Sequence, residues 1–259
     1  MAVGMSQRHL DSFVFPNFFL NHLLIRCYSL RYALRRGLLG VDTKAGKKTN
    51  LNMDFTRNFE ATAEFFRKNH WAFVENVLPQ EAHQELIDQW PGFFHFKPVK
   101  SIYKSYDMGF IDPGETYSRC PALQQLSTYL ASEKLLSRLN NYALDGASER
   151  TVGSVVFSRA RYSSSCLNHL DSVSESEENA GKSINLILFV DGTGGCRSGG
   201  TCIYRDKDGE IVFEPTNLTN TLLIYRSDIT YHGFPAMRLG SFRWMVTCHA
   251  INREIPVPD

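Results

Sequence analysis

The second half of this 259-residue sequence predicts a double-stranded β-helix (jelly roll), a mainly β fold with flanking helices. After residue 147 the chain breaks into short runs of β-branched and aromatic residues, each bounded by turn residues. Two long loops, residues 172–182 and 192–200, interrupt these runs, and Lys207–Glu210 (KDGE) is typical of a tight hairpin turn. Short antiparallel strands with long loops at one end favour two facing sheets.

Helices are predicted before the strand-rich half. Residues 53–70 repeat phenylalanine and alanine at helical spacing, and residues 71–78 (WAFVENVL) indicate a short strand. Pro79 then stands at the start of a second helix, the position that suits proline best. Residues 93–119 alternate aromatic and basic residues and indicate strands and loops, whereas residues 121–144 predict one or two further helices.

We expect the chain to have two parts. The folded domain covers residues 53–259, with the jelly-roll core at about residues 150–252. Residues 1–52 differ, because leucines recur at helical spacing and arginines lie mostly off that stripe, which predicts a basic amphipathic helix over Pro16–Arg36. Residues 42–52 then form a polar linker. We expect the domain, a second copy of the chain or a membrane surface to cover the leucine stripe, so this helix is a candidate for self-association or peripheral contact.

Composition and charge exclude several classes of function. The sequence is 43% hydrophobic and 21% charged, which is ordinary for a globular protein with a core. Its 28 basic and 27 acidic residues give a net charge of +1, so there is no electrostatic basis for binding nucleic acid. The apolar run Phe13–Ile25 is too short and too polar to span a bilayer, so no transmembrane segment is predicted.

The cysteines bear on the cellular compartment. Six of them are scattered without a CxxC pair, which argues against a disulfide framework or a zinc site and favours the reducing cytoplasm. The first 41 residues are rich in arginine and poor in acid, as organellar transit peptides are, and this destination stays open as the alternative.

Three side chains in the strand-rich half form a candidate metal site. His169 and Asp171 are two residues apart, and such residues point to the same face of a strand. His232 is predicted to end a later apolar strand that begins at Thr221. Two histidines and one carboxylate on one face are the ligand set of non-haem Fe(II) oxygenases. Iron is favoured over zinc because such a triad leaves three positions open.

Arg243 is a candidate anion-binding residue. It lies among apolar residues (FRWMV) of the last predicted strand, where an unpaired guanidinium is costly to bury. A bound dicarboxylate satisfies such a group with a two-pronged contact that lysine does not reproduce. Thr247 lies four residues further on the same strand face, where its hydroxyl is placed to donate to the same carboxylate.

The order of these parts resembles the 2-oxoglutarate/Fe(II)-dependent dioxygenases of the prolyl 4-hydroxylase-like group. Arg161-Tyr162 precedes the His-x-Asp motif, Gly199-Gly200 opens a strand, the LLIYRSDITYHG segment carries the second histidine, and an arginine follows in the last strand. The resemblance covers roughly residues 150–252. It implies Fe(II) ligation by the catalytic residues His169, Asp171 and His232, and binding of the co-substrate 2-oxoglutarate by Arg243, Tyr162, Thr247 and Asn185.

The resemblance implies an enzyme that uses 2-oxoglutarate and O2 and releases succinate and CO2. Its expected reaction is hydroxylation of an unactivated C–H bond in an amino acid, a peptide or a small metabolite. Desaturation and ring closure are other outcomes compatible with the same residues. A non-catalytic jelly-roll binding or sensor module is the alternative, and release of succinate separates it from the enzyme.

Overall fold

The structure is a computed structural model that describes residues 50–91, 96–100, 104–109, 120–142, 150–171, 183–194 and 200–252. The helices in this part of the chain are α1 (Asn58–Ala61), α2 (Ala63–Asn69), α3 (Gln80–Asp88), α4 (Pro121–Leu130) and α5 (Glu133–Leu139). The strands are β1 (Trp71–Glu75), β2 (Phe96–Lys100), β3 (Lys104–Gly109), β4 (Arg150–Arg161), β5 (Ser165–His169), β6 (Ile184–Gly192), β7 (Cys202–Tyr204), β8 (Ile211–Phe213), β9 (Thr221–Arg226), β10 (His232–Phe234) and β11 (Phe242–Asn252).

The strands pair antiparallel in the order β1-β9-β6-β11-β4-β3-β5-β10-β7-β8, and β2 pairs with β3. Strand β3 joins two halves, because residues 107–108 pair with β4 and residues 104–105 pair with β5. We call β1, β9, β6, β11 and β4 the helix-covered sheet, and β5, β10, β7 and β8 the facing sheet. Trp71 of β1 and Phe213 of β8 bring their ends together, with ring centroids 4.6 Å apart. The predicted jelly roll is thereby confirmed.

The helix-covered sheet is buried on both faces, as the alternation of side chains along a strand requires. On β6, Leu186 and Leu188 pack against the helices, whereas Ile187 and Phe189 lie in a second apolar cluster between the sheets. On β11, Val246 packs on the helix side. By the same alternation, the inner face of β11, which is turned towards the facing sheet, carries Arg243, Met245, Thr247 and His249.

The helices hold the helix-covered sheet in place from outside. Trp90, just after α3, stacks on Trp244 of β11 with ring centroids 5.5 Å apart and planes within 10°. His83 of α3 is buried, and its Nε2 lies 2.7 Å from the carbonyl oxygen of Val190 on β6. Phe66 of α2 is fully buried in the same layer. The inner face of the sheet is therefore a rigid platform for the side chains that it carries.

The helices and cysteines of the described residues relate to the predictions on membrane and compartment. Among the described residues, no helix is long and apolar enough to cross a membrane. The four cysteines in these ranges are buried free thiols.

The predicted amphipathic helix over Pro16–Arg36 lies outside the described residues, and the domain boundary after residue 52 stays a prediction. The chain is packed from the start of its described part. The backbone N–H of Leu51 donates to Oε1 of Gln125 at 2.8 Å, and Met53 belongs to the buried core.

A truncated chain that begins at Asn50 should fold, with a melting temperature within about 3 °C of the full chain and unchanged metal affinity. The expected change is small because the first core contacts, made by Leu51 and Met53, are kept. A chain that begins at Thr56 lacks Leu51, Met53 and Phe55. It should not fold, because each buried side chain contributes about 2–5 kcal/mol to the free energy of unfolding. Circular dichroism melts compare the three chains. Aggregation of the Asn50 chain would show that residues 1–49 belong to the core.

Candidate metal centre

The facing sheet brings the two predicted histidines together. His169 is the last residue of β5 and His232 is the first of β10, and the two are direct partners in the antiparallel pairing. Asp171 follows two residues after the end of β5. Strand pairing thus joins side chains that are separated by about sixty residues of sequence.

His232 does not end the strand that begins at Thr221, so this detail of the prediction is wrong. Strand β9 ends at Arg226 and a turn follows, in which the N–H of Thr230 donates to the carbonyl of Arg226 at 3.1 Å. The turn carries the chain from the helix-covered sheet to the facing sheet. His232 therefore opens a new strand beside His169.

The distances in this group fit three ligands of one metal ion. Nε2 of His169 lies 3.2 Å from Oδ1 of Asp171, and Nε2 of His232 lies 3.4 Å from Oδ2. One ligand atom from each of the three residues lies within 4.8 Å of the others. Ligands at right angles around an ion, each about 2.1 Å from it, are about 3 Å apart. The group therefore suits one face of an octahedral site.

Both imidazoles are turned so that Nε2 points into the group. Nδ1 of His169 lies 2.7 Å from the carbonyl oxygen of Leu167, and Nδ1 of His232 lies 3.1 Å from that of Thr230. A carbonyl only accepts, so each Nδ1 carries a proton and donates it. Backbone acceptors of this kind fix the tautomer of metal-binding histidines.

The carboxylate also sets the charge of its neighbour. Burial lowers the pKa of His169, but the hydrogen bonds to Asp171 and Cys166 outweigh it and raise the pKa to about 10. A metal ion competes with that proton at Nε2 of His169. Metal affinity should therefore rise with pH, because binding releases protons.

The second carboxylate oxygen is held from the helix-covered sheet. Oδ2 of Asp171 accepts from Nδ2 of Asn185 at 2.6 Å and from Oη of Tyr225 at 3.1 Å. Burial and the charge of Asp171 raise the pKa of Tyr225 well above its usual value, so the phenol is neutral and donates. Its oxygen is also 3.0 Å from Nε2 of His232. Tyr225 was not predicted from the sequence. It could have been found because it lies two residues from Leu223 and therefore on the same, inner face of β9.

Arg243 is buried on the inner face of β11. Its guanidinium donates from Nη1 to Oγ1 of Thr201 at 3.0 Å and lies 3.6 Å from the ring centre of Phe234, two residues beyond His232 on β10. The side chain is 2% exposed, and burial lowers its pKa to about 10, so it stays charged at neutral pH. Thr201 was not predicted; its place directly after the Gly-Gly pair was the available signal.

The remaining predicted residues lie in different surroundings. Thr247 is half-buried on the inner face of β11, four residues from Arg243. Tyr162 is half-buried in the turn after β4. Asn185 is fully buried and bonded to Asp171. Their assignment to 2-oxoglutarate binding stays a prediction.

Replacing Gly233 by alanine should weaken metal binding by at least about tenfold and lower the free energy of unfolding by about 1–3 kcal/mol. A Cβ atom at Gly233 would lie 2.7 Å from the carbonyl oxygen of Cys166, so β10 and β5 must move apart and separate His169 from His232. Metal titration and thermal melts measure the two effects. Gly153→Ala is the control, because its Cβ meets the movable end of the Ile251 side chain.

Comparison with known proteins places the fold. No family model matches the chain, and no curated protein matches its sequence. A solved prolyl 4-hydroxylase from Phytophthora capsici matches with a TM-score of 0.58 at 13% identity, over 84% of this chain and 72% of that one. A prolyl hydroxylase from Trichoplax adhaerens, solved with a peptide fragment of the hypoxia inducible factor oxygen degradation domain, matches with a TM-score of 0.55 at 16% identity, over 75% and 90% of the two chains.

A third match concerns a different reaction. The non-haem α-ketoglutarate-dependent epimerase SnoN from nogalamycin biosynthesis has a TM-score of 0.55 at 13% identity, over 75% of this chain and 82% of that one. The predicted resemblance is confirmed in the fold, which is the jelly roll of prolyl 4-hydroxylases and other 2-oxoglutarate/Fe(II) oxygenases. Within that fold, this chain brings together a His-Asp-His group. Because the same fold carries hydroxylation and epimerisation, it leaves the reaction open.

Proposed function

We propose that this protein is an Fe(II)- and 2-oxoglutarate-dependent dioxygenase that hydroxylates an unactivated C–H bond of an amino acid, a peptide or a small metabolite. The observation that carries the proposal is the group of His169, Asp171 and His232, with both histidines anchored through Nδ1 and turned towards the carboxylate. The buried cation Arg243, whose guanidinium contacts Phe234 two residues beyond His232, supports a dicarboxylate co-substrate.

The donor set fits iron. His169, Asp171 and His232 would hold Fe(II) from one side, and two imidazoles with one carboxylate leave positions open for other ligands. Bound iron, with 2-oxoglutarate and O2, supplies the oxidising chemistry that hydroxylates the substrate and yields succinate and CO2. The protein's own part is to fix the geometry and to keep water out.

Arg243 would hold the far carboxylate of 2-oxoglutarate with two parallel hydrogen bonds. Thr201 fixes the guanidinium from one side and Phe234 covers its face, so the fork is oriented in advance. In such a dry setting a charge pair is stronger than in water. We propose Thr247 as a second donor to the same carboxylate. Tyr162 and Asn185 are proposed as further contacts of the co-substrate.

Succinate formation tests the proposal. The purified protein is incubated with Fe(II), 2-oxoglutarate and O2, and succinate is measured with and without candidate amino acids, peptides and metabolites. We expect succinate to depend on iron and 2-oxoglutarate and to rise with the substrate. Binding of both without succinate, for every candidate, would favour the binding or sensor module instead.

The product distinguishes the possible reactions. A hydroxylase transfers one atom of O2 to its substrate, so mass spectrometry after reaction under labelled O2 should show the label in the product. A product that lacks the label indicates desaturation, ring closure or epimerisation. In that case the reaction differs, but dependence on iron and 2-oxoglutarate is still expected.

A further inference from the structure

A row of three polar residues crosses the inner face of the helix-covered sheet. His249 of β11 is the direct partner of Asn185 on β6, and Asn185 is the direct partner of Tyr225 on β9. Next to this row, Ile187 pairs with Leu223 in the apolar cluster between the sheets. Buried polar groups are costly unless their hydrogen bonds are made, so the row needs an explanation.

The hydrogen bonds in this row run in one direction. A carboxylate only accepts, so Nδ2 of Asn185 donates to Oδ2 of Asp171 at 2.6 Å. The amide oxygen Oδ1 of Asn185 then faces His249, whose Nδ1 is 2.7 Å away. An amide oxygen also only accepts, and His249 must therefore donate. The chain of donors leads from His249 through Asn185 to Asp171.

We call this chain of hydrogen bonds from His249 through Asn185 to Asp171 the relay. It acts on the candidate ligand whose position strand pairing constrains least. His169 and His232 belong to paired strands, but Asp171 lies beyond the end of β5 and has no place in a ladder. Its carboxylate is instead fixed by Asn185 and Tyr225 from the opposite sheet. If Asn185 turned its amide over, the oxygen would face the carboxylate and repel it. The N–H of His249 opposes that rotation.

We propose that His249 is a positioning residue, which orients the carboxylate of Asp171 for metal binding by fixing the amide of Asn185. The relay rests on the metal site of the proposed function and deepens it. It assigns to His249 a role beyond core packing, and to Asn185 a role towards Asp171 that is separate from co-substrate binding. Groups that orient metal ligands in this way commonly change metal affinity 10–100-fold when they are removed.

Cobalt binding tests the relay without relying on turnover. Co(II) is titrated into the full-length protein while its visible absorption is followed, which reports both the dissociation constant and the ligand geometry. His249→Phe keeps a ring and removes the N–H, and should raise the Kd for Co(II) by about 10–100-fold. His249→Asn places an amide nitrogen where Nδ1 stands, at the same number of bonds from the backbone, and should restore most of the affinity. His249→Leu replaces the Phe variant if that protein is insoluble.

The control is His83→Phe. His83 is also buried, and it lies 2.7 Å from a backbone carbonyl, but on the helix side of the same sheet. This change should lower the melting temperature and leave the Kd for Co(II) unchanged, which separates loss of stability from loss of ligand orientation.

Three results would overturn part of this reasoning. Unchanged cobalt affinity in the Phe and Leu variants, beside normal binding by the unmodified protein, would refute the relay and leave the metal site standing. Equal losses in the Phe and Asn variants would show that ring shape matters and the N–H does not, which also refutes the relay. Failure of the unmodified protein to bind Co(II) would refute the metal site and the proposed function together.

Discussion

Replacing His232 by alanine should remove metal binding and turnover while the protein stays folded. Under the proposed function this residue supplies one of three donors, and loss of a direct ligand should cost more than the 10–100-fold typical of the groups around a metal site. We therefore expect Fe(II) affinity to fall by at least about a hundredfold. The fold should tolerate the change, because alanine keeps the backbone pairing of β10 with β5 and β7. Anaerobic Fe(II) titration and a circular dichroism melt measure the two properties.

His83→Ala is the matched control for this experiment. It removes a buried, hydrogen-bonded histidine from the other side of the helix-covered sheet, so it should reduce stability with no effect on Fe(II) affinity. Normal iron binding by the His232→Ala protein would show that the metal is held elsewhere.

Replacing Arg243 should raise the KM for 2-oxoglutarate without changing the affinity for Fe(II). Arg243→Lys replaces a two-pronged contact by a point charge, so we expect the KM for 2-oxoglutarate to rise about tenfold. Arg243→Ala should raise it by about a hundredfold or more, since a hydrogen bond to a charged group and the buried charge are both lost. Because the side chain is fully buried, the alanine variant should also lose about 2–5 kcal/mol of stability.

Two comparisons make the Arg243 result specific. Fe(II) affinity is measured in the same variants and should not change, because the guanidinium contacts Thr201 and Phe234, which are not among the three candidate ligands. Thr201→Val keeps the shape and removes the hydroxyl that orients Arg243, and should raise the KM only a few-fold. A KM that stays constant in the lysine and alanine variants would place the dicarboxylate elsewhere.

The parts of the fold that depend on local pattern could be predicted from the sequence. The apolar runs of β6 and β11 have the length and composition of buried strands, and the structure contains both. The grouping of His169, Asp171 and His232 was also predictable, because His169 and Asp171 are close in sequence and His232 follows a recognisable apolar run. His232 was assigned to the wrong strand because a turn precedes it. In this turn the N–H of Thr230 donates a hydrogen bond to the carbonyl of Arg226, and the backbone conformation that makes this bond is not evident from the residue types.

The hydrogen bonds around the group of His169, Asp171 and His232 could not be predicted, because they depend on strand register. Tyr225 and Asn185 are forty residues apart in sequence, and only the pairing of β9 with β6 places them opposite each other. His249 joins the same row through the pairing of β11 with β6. The contact of Thr201 with Arg243 likewise joins segments that are 42 residues apart. A shift of one residue in any of these pairings would turn the side chains to the other face.

The division of the site between two sheets has an evolutionary consequence. The two histidines stand on β5 and β10, whereas Arg243 stands on β11, and the two sets share no strand. Under the proposed function, substitutions around Arg243 on β11 can therefore alter the choice of keto acid while iron ligation is retained, whereas His249 of the same strand serves Asp171. Asn185 and Tyr225 are the exception, since they tie Asp171 to the second sheet. In a lineage that changes its co-substrate, these two positions should drift more slowly than their neighbours.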